Sequence, residues 1–189
     1  MKRVETSLPG VWIVEPKIFG DARGYFFESY QREKFAQLGI TADFVQDNRS
    51  FSRQGVVRGL HFQLRYPQAK LCSALQGEVF DVAVDVRQGS PTFGKWIGVT
   101  LSAENKKQIY IPQGFAHGFA VLSETAEFMY KCSDYYHPED DGGVAWNDPE
   151  IGIDWPIESP ILSQKDALFL PLAQTLAEKL PIFHSAFSP

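Results

Sequence analysis

The sequence predicts an all-β sandwich or barrel, and three observations carry this prediction. In the segment 79–86, apolar residues occupy every second position from Phe80 onwards, which is the pattern of a half-buried strand. Short segments of similar composition recur along the chain, and turn signals such as Gln76-Gly77 and Pro112-Gln113 separate them. Helix signals are few. Many short strands divided by glycine and proline are typical of packed or closed antiparallel sheets.

Nine further segments have the composition of strands, and they lie at 11–14, 24–30, 44–50, 56–62, 70–75, 96–101, 108–111, 116–122 and 127–133. Two helices are predicted. Residues 31–38 carry apolar side chains three apart, and Gly39 follows as a residue that can end a helix. Residues 172–180 have a leucine at every fourth position and lie between two prolines, which predicts a short helix near the C-terminus.

The chain is expected to form a single domain over 1–183, followed by a loose tail at 184–189. Its 189 residues suit one domain better than two. No internal repeat, linker or shift in composition divides the sequence. The segment 138–160 is rich in Asp, Gly and Pro and is predicted to be a long loop.

Composition and charge exclude several classes of protein. Hydrophobic residues at 44% and charged residues at 22% are ordinary globular values, which argues against a disordered chain. A net charge of -5 argues against nucleic acid as a partner. No apolar run approaches the ~20 residues of a membrane-spanning helix, and the N-terminus lacks the apolar core of a signal peptide. A cytoplasmic protein with no membrane partner is therefore expected. Cys72 and Cys132 are too few for a disulfide framework, and both are expected to be buried and reduced.

Two of the four histidines lie in apolar surroundings and are candidates for chemistry. His61 and His117 are on separate predicted strands of a small β fold, which suggests a metal site of the cupin kind. Such sites usually have a His-x-His pair, whereas position 63 is Gln63 and the next acid after His61 is Glu78. A complete ligand set is not apparent, so a metal-dependent cupin enzyme is the weaker alternative.

Acid–base chemistry at a carbonyl is the alternative that needs no metal. It requires a base, a partner that orients the base, a group that stabilises the enolate, and an acid. His61 can be the base. Lys70 is on the next predicted strand, where a buried lysine is costly unless it is paired or used. Tyr130 shares one strand face with Phe128 and Cys132, a pattern that fits a core position as well as a functional one.

Seven motifs, taken together in order and spacing, point to one family. They are GDARGYFFE at 20–28, GLHFQ at 59–63, QAKL at 68–71, GEVFDVAVD at 77–85, PQGFAHGF at 112–119, YKC at 130–132 and LSQKD at 162–166. In these motifs the chain resembles the dTDP-4-dehydrorhamnose 3,5-epimerase family, from about residue 4 to about residue 180. Each motif alone is weak, but the ordered set is specific.

The resemblance implies a fold and a reaction. The fold is a cupin-type jelly roll. The substrate is dTDP-4-dehydro-6-deoxy-D-glucose and the product is dTDP-4-dehydro-L-rhamnose, in dTDP-L-rhamnose biosynthesis. The reaction inverts C3 and C5, whose protons are α to the C4 ketone, through an enolate. The resemblance implies no metal and no other cofactor. A related epimerase that inverts only C3 or only C5 is the nearest alternative.

The resemblance also assigns four catalytic roles. His61 resembles the base that removes the proton, and Asp166 the carboxylate that orients it and supports its imidazolium form. Lys70 resembles the cation that stabilises the enolate oxygen. Tyr130 resembles the acid that returns a proton to the opposite face of the ring. Inversion requires such a base and acid on opposite sides of the sugar.

A larger set of residues resembles the family's substrate-binding positions. It comprises Arg23, Glu28, Gln46, Asn48, Arg58, His117, Tyr136, Asp141 and Lys165. Arg23 and Arg58 suit the diphosphate, because a guanidinium binds phosphate oxygens in a bidentate manner. Tyr136 matches the aromatic that stacks on thymine. Asp141 departs from the family, which often has Glu there, and its side chain is one methylene shorter.

Two expectations concern how the site is assembled. The family works as a homodimer with exchanged N-terminal strands, so Arg23 and Glu28 would serve the partner's site. Arg58 and His61 are an odd number of residues apart, so an unbroken strand would place them on opposite faces. Either a bulge at Gly59 or a strand that begins after Arg58 would resolve this.

Overall fold

The computed structural model describes residues 1–184, and the chain is a sandwich of two antiparallel sheets. One sheet has the order β1-β2-β10-β7-β12-β5 and the other β13-β6-β11-β8-β9, while β3 and β4 form a separate hairpin. The strands are β1 Lys2–Glu5, β2 Trp12–Glu15, β3 Phe19–Asp21, β4 Gly24–Phe26, β5 Gln46–Arg53, β6 Val57–Gln63, β7 Lys70–Gln76, β8 Glu78–Asp85, β9 Trp96–Ser102, β10 Gln108–Ile111, β11 Phe115–Val121, β12 Thr125–Cys132 and β13 Asp141–Gly143.

The order of the strands is that of a jelly roll. The eight strands from β5 to β12 contribute four to each sheet, in the orders β10-β7-β12-β5 and β6-β11-β8-β9. The predicted all-β jelly roll is therefore confirmed. Each of the ten segments predicted as strands overlaps one, although the strand in 24–30 ends at Phe26. The sequence analysis missed the short strands β1, β3 and β13.

Apolar side chains from the facing sheets fill one end of the sandwich. Phe119 on β11 and Phe128 on β12 stack across the interior, with ring centroids 4.2 Å apart. Both are buried, together with Leu101 and Ile109. Burial of one such side chain stabilises the fold by about 1.5–3 kcal/mol. This aromatic stack separates the apolar core from the polar end of the interior.

The predicted N-terminal helix is confirmed as α1, Arg32–Gln37. Its N-cap is Gln31, whose side chain accepts a hydrogen bond from the Lys34 backbone N–H, and Gly39 follows the helix with a φ of 91°. The helix buries Phe35 against the outer side of the larger sheet. Within residues 1–184, no helix is long and apolar enough to cross a membrane.

The predicted C-terminal helix over 172–180 is wrong. Two 3₁₀ turns, Leu172–Gln174 and Ala177–Lys179, lie there instead, and the residues between them are extended. Leu172 and Leu180 are buried but Leu176 is 56% exposed, so the leucines do not share one buried face. The segment follows the edge of the sandwich and is held by hydrogen bonds to the loop after β8. Of the predicted tail 184–189, everything from position 185 lies outside the described residues.

A bulge at Gly59 reconciles Arg58 with His61. In the β6–β11 ladder, Phe119 pairs with Arg58 and His117 pairs with His61, so three steps on β6 match two on β11. Gly59 has a φ of 117°, in the region that favours glycine. The extra residue returns both side chains to the interior side of the sheet. Of the two explanations offered by the sequence, the bulge is confirmed.

The loop after β8 depends on a buried carboxylate, and Asp85→Ala is expected to destabilise the protein. Asp85 is fully buried and accepts hydrogen bonds from the Arg87 guanidinium, from Ser90 Oγ at 2.5 Å and from Thr92 Oγ1 at 2.7 Å. Removing it would leave Arg87 without its partner and lower the free energy of unfolding by about 3–5 kcal/mol, measured by urea denaturation at neutral pH.

The pH dependence of the same variant gives a second measurement. Burial raises the pKa of Asp85, but its hydrogen bonds from Arg87, Ser90 and Thr92 outweigh burial, so the pKa is lowered overall. The stabilisation is thus present above the unfolded pKa of about 3.9 and is lost as the pH falls through the folded pKa. Asp43→Ala, which removes an exposed ion pair, is the control and should cost at most about 1 kcal/mol. An equal effect of the two substitutions would contradict this account.

Candidate active site

Three neighbouring strands of the larger sheet form one wall of the site. Asn48, Tyr130 and Cys72 are directly opposite one another in the ladders of β5, β12 and β7. Lys70 precedes Cys72 by two residues and therefore faces the same side of the sheet. These side chains point into the sandwich beside the aromatic stack of the core.

The smaller sheet supplies the opposite wall. His61 on β6 and His117 on β11 are paired in register, and Arg58 enters from the far side of the bulge. Two glycines let these strands approach: a Cβ on Gly59 would lie 2.5 Å from Gly118 Cα, and one on Gly118 would lie 2.6 Å from the Arg58 carbonyl oxygen. Neither position therefore accepts a side chain without a backbone shift.

His61 is paired with Asp166, as its candidate role requires. The His61 Nε2–H donates to Asp166 Oδ1 over 2.6 Å, which leaves the lone pair on Nδ1. Asp166 begins the 3₁₀ turn Asp166–Leu168, is 3% exposed, and its backbone N–H donates to Ser163 Oγ. Burial raises the pKa of Asp166, but the hydrogen bond and charge of His61 outweigh it and lower the pKa overall. The carboxylate is thus an anion that orients the imidazole.

Tyr130 and Lys70 face this pair from the other sheet. Burial, followed by the nearby cysteine side chains, raises the pKa of Tyr130 to about 12. The phenol is therefore protonated at neutral pH and is suited to donate a proton. Lys70 Nζ lies 5.8 Å from the centroid of the Tyr130 ring, and no carboxylate in residues 1–184 forms a salt bridge with it. Its charge is available to an anionic oxygen in the cavity.

The interior between the two walls is a cavity with an inner and an outer part. The inner part has a volume of about 140 Å³, and the outer part about 320 Å³. Both parts are lined by Asn48, His61, Lys70 and Tyr130, so the four residues stand where the two parts meet. A third space of about 320 Å³ reaches His61 from the side of Asp166. The inner part ends at the aromatic stack.

The outer part holds most of the residues predicted to bind the nucleotide. Gln46, Tyr136, Asp141 and Lys165 all line it. Asp141 Oδ2 accepts from the Tyr136 hydroxyl at 2.8 Å and from Lys165 Nζ at 2.5 Å, and the first contact raises the pKa of Tyr136. Gln46 donates to Asn48 and accepts from the Tyr136 backbone N–H. Although its side chain is one methylene shorter than that of Glu, Asp141 thus contacts both Tyr136 and Lys165 at the mouth of the cavity.

Arg23 and Glu28 are the two predicted site residues that lie elsewhere. The Arg23 side chain is 90% exposed and pairs with Asp21, and Glu28 pairs with Lys34. Neither lines the cavity. Their assignment to substrate binding stays a prediction.

Asp81 is a site residue that the sequence analysis missed. It is fully buried on β8 and both its oxygens accept from His117 Nε2, at 2.9 and 3.1 Å. Cys72 Sγ lies 3.8 Å from the same nitrogen, and burial raises the pKa of this thiol well above its usual range. Among residues 1–184, these three form the one group whose donor atoms converge closely enough for a metal ion. A sequence signal for Asp81 was available: it is two residues from both Val79 and Ala83, so it shares a strand face with these two core residues.

A larger groove does not coincide with the chemistry. It has a volume of about 790 Å³ and runs along the outer side of β13, beside the exposed Leu168 and Leu176. None of His61, Lys70 and Tyr130 lines it. The smaller interior cavity is therefore the candidate active site.

A jelly roll that sets a histidine–aspartate pair against a tyrosine and a lysine across one cavity has the arrangement of an acid–base enzyme. A family model described as dTDP-4-dehydrorhamnose 3,5-epimerase matches residues 5–174. The dTDP-4-dehydrorhamnose 3,5-epimerase of Pseudomonas aeruginosa is 57% identical over 168 residues, which are 88% of this chain and 93% of that protein. The chain belongs to the dTDP-4-dehydrorhamnose 3,5-epimerase family.

Solved structures agree with this assignment. An epimerase from Legionella pneumophila, in complex with dTDP-4-keto-L-rhamnose, superposes with a TM-score of 0.95 at 54% identity, covering 97% of this chain and 99% of that chain. A 3'-monoepimerase from Streptomyces bikiniensis, in complex with dTDP-quinovose, has a TM-score of 0.87 at 37% identity and covers 94% and 91%. The predicted family and the predicted enzyme class, an isomerase, are confirmed.

Proposed function

We propose that this site converts dTDP-4-dehydro-6-deoxy-D-glucose to dTDP-4-dehydro-L-rhamnose by inverting C3 and C5, as a step of dTDP-L-rhamnose biosynthesis. The observation that carries the proposal is the placement of His61 and Tyr130 on facing sheets around one cavity. A sugar ring between them has a base on one face and an acid on the other, which is what inversion of a carbon acid requires.

The proton leaves through His61. Its Nδ1 lone pair takes the proton from the carbon next to the ketone, and the electrons of that C–H bond move to the C4 oxygen as an enolate. The imidazolium that forms is stabilised by Asp166, which is already an anion at 2.6 Å. The ammonium of Lys70 stabilises the enolate oxygen. Removal of one such preorganised donor costs about 3–4 kcal/mol in other enzymes.

The proton returns through Tyr130. Its hydroxyl gives a proton to the opposite face of the same carbon as the enolate collapses to the ketone. The His61 imidazolium then releases its proton to solvent and the Tyr130 phenolate takes one up, so both groups are restored before the next step. Because burial raises the pKa of this phenol to about 12, it is a proton donor rather than a base at neutral pH. The same sequence of steps at the second carbon completes the double inversion.

The nucleotide occupies the outer part of the cavity in this proposal. Lys165 lines the outer part and offers positive charge to the diphosphate, although the protein carries a net charge of -5. Arg58 offers a second positive charge from the inner part and from the space beside Asp166. Tyr136 is 52% exposed at the mouth, where its ring is free to stack on thymine. Gln46 and Asn48 offer amide groups along β5. The sugar then extends inward to His61 and Tyr130.

Exchange in D₂O tests the proposal. The purified enzyme and the 4-keto sugar nucleotide are incubated in D₂O, and deuterium is followed at C3 and C5 by NMR together with the configuration of the product. Uptake and inversion at both carbons are expected. Inversion at one carbon alone would assign the chain to the monoepimerase activity instead. Absence of uptake at both carbons would overturn the proposal.

Tyr130→Phe is expected to separate exchange from inversion. Loss of the far-face acid should slow net inversion by about 10²–10⁴-fold, while deuterium exchange from the face of His61 continues. In the wild type, ionisation of the Tyr130 phenol should not lower the rate of inversion at any pH up to about 10, the pH at which an ordinary tyrosine ionises. Tyr110→Phe is the control, because Tyr110 is buried against Trp12 outside the cavity. Equal loss of exchange and inversion in Tyr130→Phe would contradict the role of acid.

We also propose a homodimer in which the N-terminal hairpin of one subunit completes the partner's site. The β3–β4 hairpin supports this, because Tyr25 and Phe26 are 60% and 69% exposed and Arg23 lies outside its own cavity. We propose that the protein is located in the cytoplasm.

Mixing two variants tests the proposed dimer. A mixture of Arg23→Ala and His61→Ala subunits should regain activity, because one site in each mixed dimer has both residues. No recovery after subunit exchange would show that Arg23 does not act across the dimer.

A further inference from the structure

The hydroxyl of Ser50 is a buried polar group that the mechanism above does not use. Ser50 Oγ is almost completely buried and has no hydrogen-bond partner within residues 1–184. Buried hydroxyls in folded proteins are nearly always hydrogen-bonded, because an unsatisfied one is destabilising. The other such atom in the described chain, Gln108 Oε1, belongs to β10 and does not line this cavity. Ser50 therefore stands out at the active site.

The position of Ser50 is set by strand geometry. Gln46, Asn48 and Ser50 alternate along the inner face of β5, from the mouth of the cavity inward. Ser50 is paired with Phe128, and Asn48 with Tyr130, so Ser50 lies two residue pairs deeper than the proposed acid. Ser50 also lines the inner part of the cavity, together with His61 and Lys70.

A neighbour shows that the hydroxyl of Ser50 is not held by the protein. Ser52 has the same orientation on β5, and its Oγ accepts from Arg58 Nε at 3.1 Å. Ser50, two residues nearer the mouth, has no such partner. A serine hydroxyl can both donate and accept, as can the hydroxyl of a sugar. A ligand hydroxyl in the inner cavity would satisfy it.

We propose that Ser50 Oγ is a binding site for the C2 hydroxyl of the substrate's sugar ring. This inference rests on the proposed function, which places the sugar between His61 and Tyr130. The C3 hydroxyl changes sides of the ring when C3 is inverted, so a fixed partner would lose it during the reaction. The C2 hydroxyl is attached to a carbon that keeps its configuration. A partner for this hydroxyl holds the ring in place while the carbons beside the ketone react.

Ser50→Ala, tested with two substrates, examines this inference. With the 4-keto sugar nucleotide, kcat/KM should fall by about 10–100-fold. With its 2-deoxy analogue, wild type and Ser50→Ala should have equal kcat/KM. The Kd for dTDP alone should not change, and the melting temperature should not fall, because the variant removes an unsatisfied buried group. Ser73→Ala, on the outer face of β7 in the same sheet, is the control and should leave all of these values at the wild-type level.

The outcomes separate this inference from the proposed function. Wild-type exchange in D₂O is measured first and concerns the function alone. If the wild type exchanges both carbons and Ser50→Ala keeps kcat/KM within about twofold of the wild type, the Ser50 subsite is overturned. A loss of equal size with the 2-deoxy analogue, or an equal loss of dTDP affinity, also overturns it.

Discussion

His61→Ala is expected to abolish deuterium exchange at both C3 and C5 and to lower kcat/KM by about 10³-fold or more. The substitution removes the only histidine in the described chain that pairs with Asp166 and faces Tyr130 across the cavity. General-base catalysis typically contributes about 10²–10⁴-fold, and here one base would serve two carbons. The measurement is NMR exchange with the 4-keto sugar nucleotide, with product formation followed in the same samples.

A matched control makes the result specific. His184→Ala removes an exposed histidine at the end of the described residues that does not line the cavity, and it should behave as the wild type. The affinity of His61→Ala for dTDP should be close to that of the wild type, because the base contacts the sugar rather than the nucleotide. If His61→Ala still exchanged one of the two carbons at the wild-type rate, a second base would have to act at that carbon.

Lys70→Met is expected to have the second largest effect, with kcat lowered by about 10²–10³-fold. Methionine keeps much of the length of the lysine side chain but removes the charge that would stabilise the enolate oxygen. Both exchange and inversion should fall together, because both pass through the enolate. This differs from Tyr130→Phe, in which exchange should persist. Steady-state kinetics and NMR exchange measure the two quantities.

Lys131→Met is the control for Lys70→Met. Lys131 is on the adjacent strand, faces outward and pairs with Asp47, so its charge is the same but its position is outside the cavity. It should leave kcat unchanged. If Lys70→Met raised only KM and kept kcat, Lys70 would bind the substrate without stabilising the enolate.

Strands with a regular period were readily predicted from the sequence. The alternation at 79–86 corresponds to β8, and 108–111 matches β10 residue for residue. In contrast, β13 contains Gly142 and Gly143, which have no side chains to alternate, and it lay inside a predicted loop. The C-terminal leucines resembled a helical repeat, but burial of Leu172 and Leu180 against the sandwich determined their structure instead. Tertiary packing overrides a short local pattern of this kind.

The catalytic residues were accessible to sequence reasoning mainly through their motifs. Tyr130 alternates with core residues, and its period could not distinguish a core tyrosine from an acid. The pairing of His61 with Asp166 joins residues 105 positions apart and depends on a 3₁₀ turn outside the sheets. Asp81 and Ser50 were missed because their significance depends on their surroundings in the fold. Asp81 accepts a hydrogen bond from His117, and the hydroxyl of Ser50 has no hydrogen-bond partner within residues 1–184.

The contact between Gly59 and Gly118 has a consequence for how such a site can diverge. Arg58 and His117 are adjacent to these two glycines, where main-chain atoms of the two strands approach each other closely. The width of the inner cavity at this point is therefore a property of the backbone. Substitution of side chains around the pocket can change which sugar is accepted without altering this spacing. Changing it would require the main chain to move, because a side chain at either glycine would collide with the facing strand.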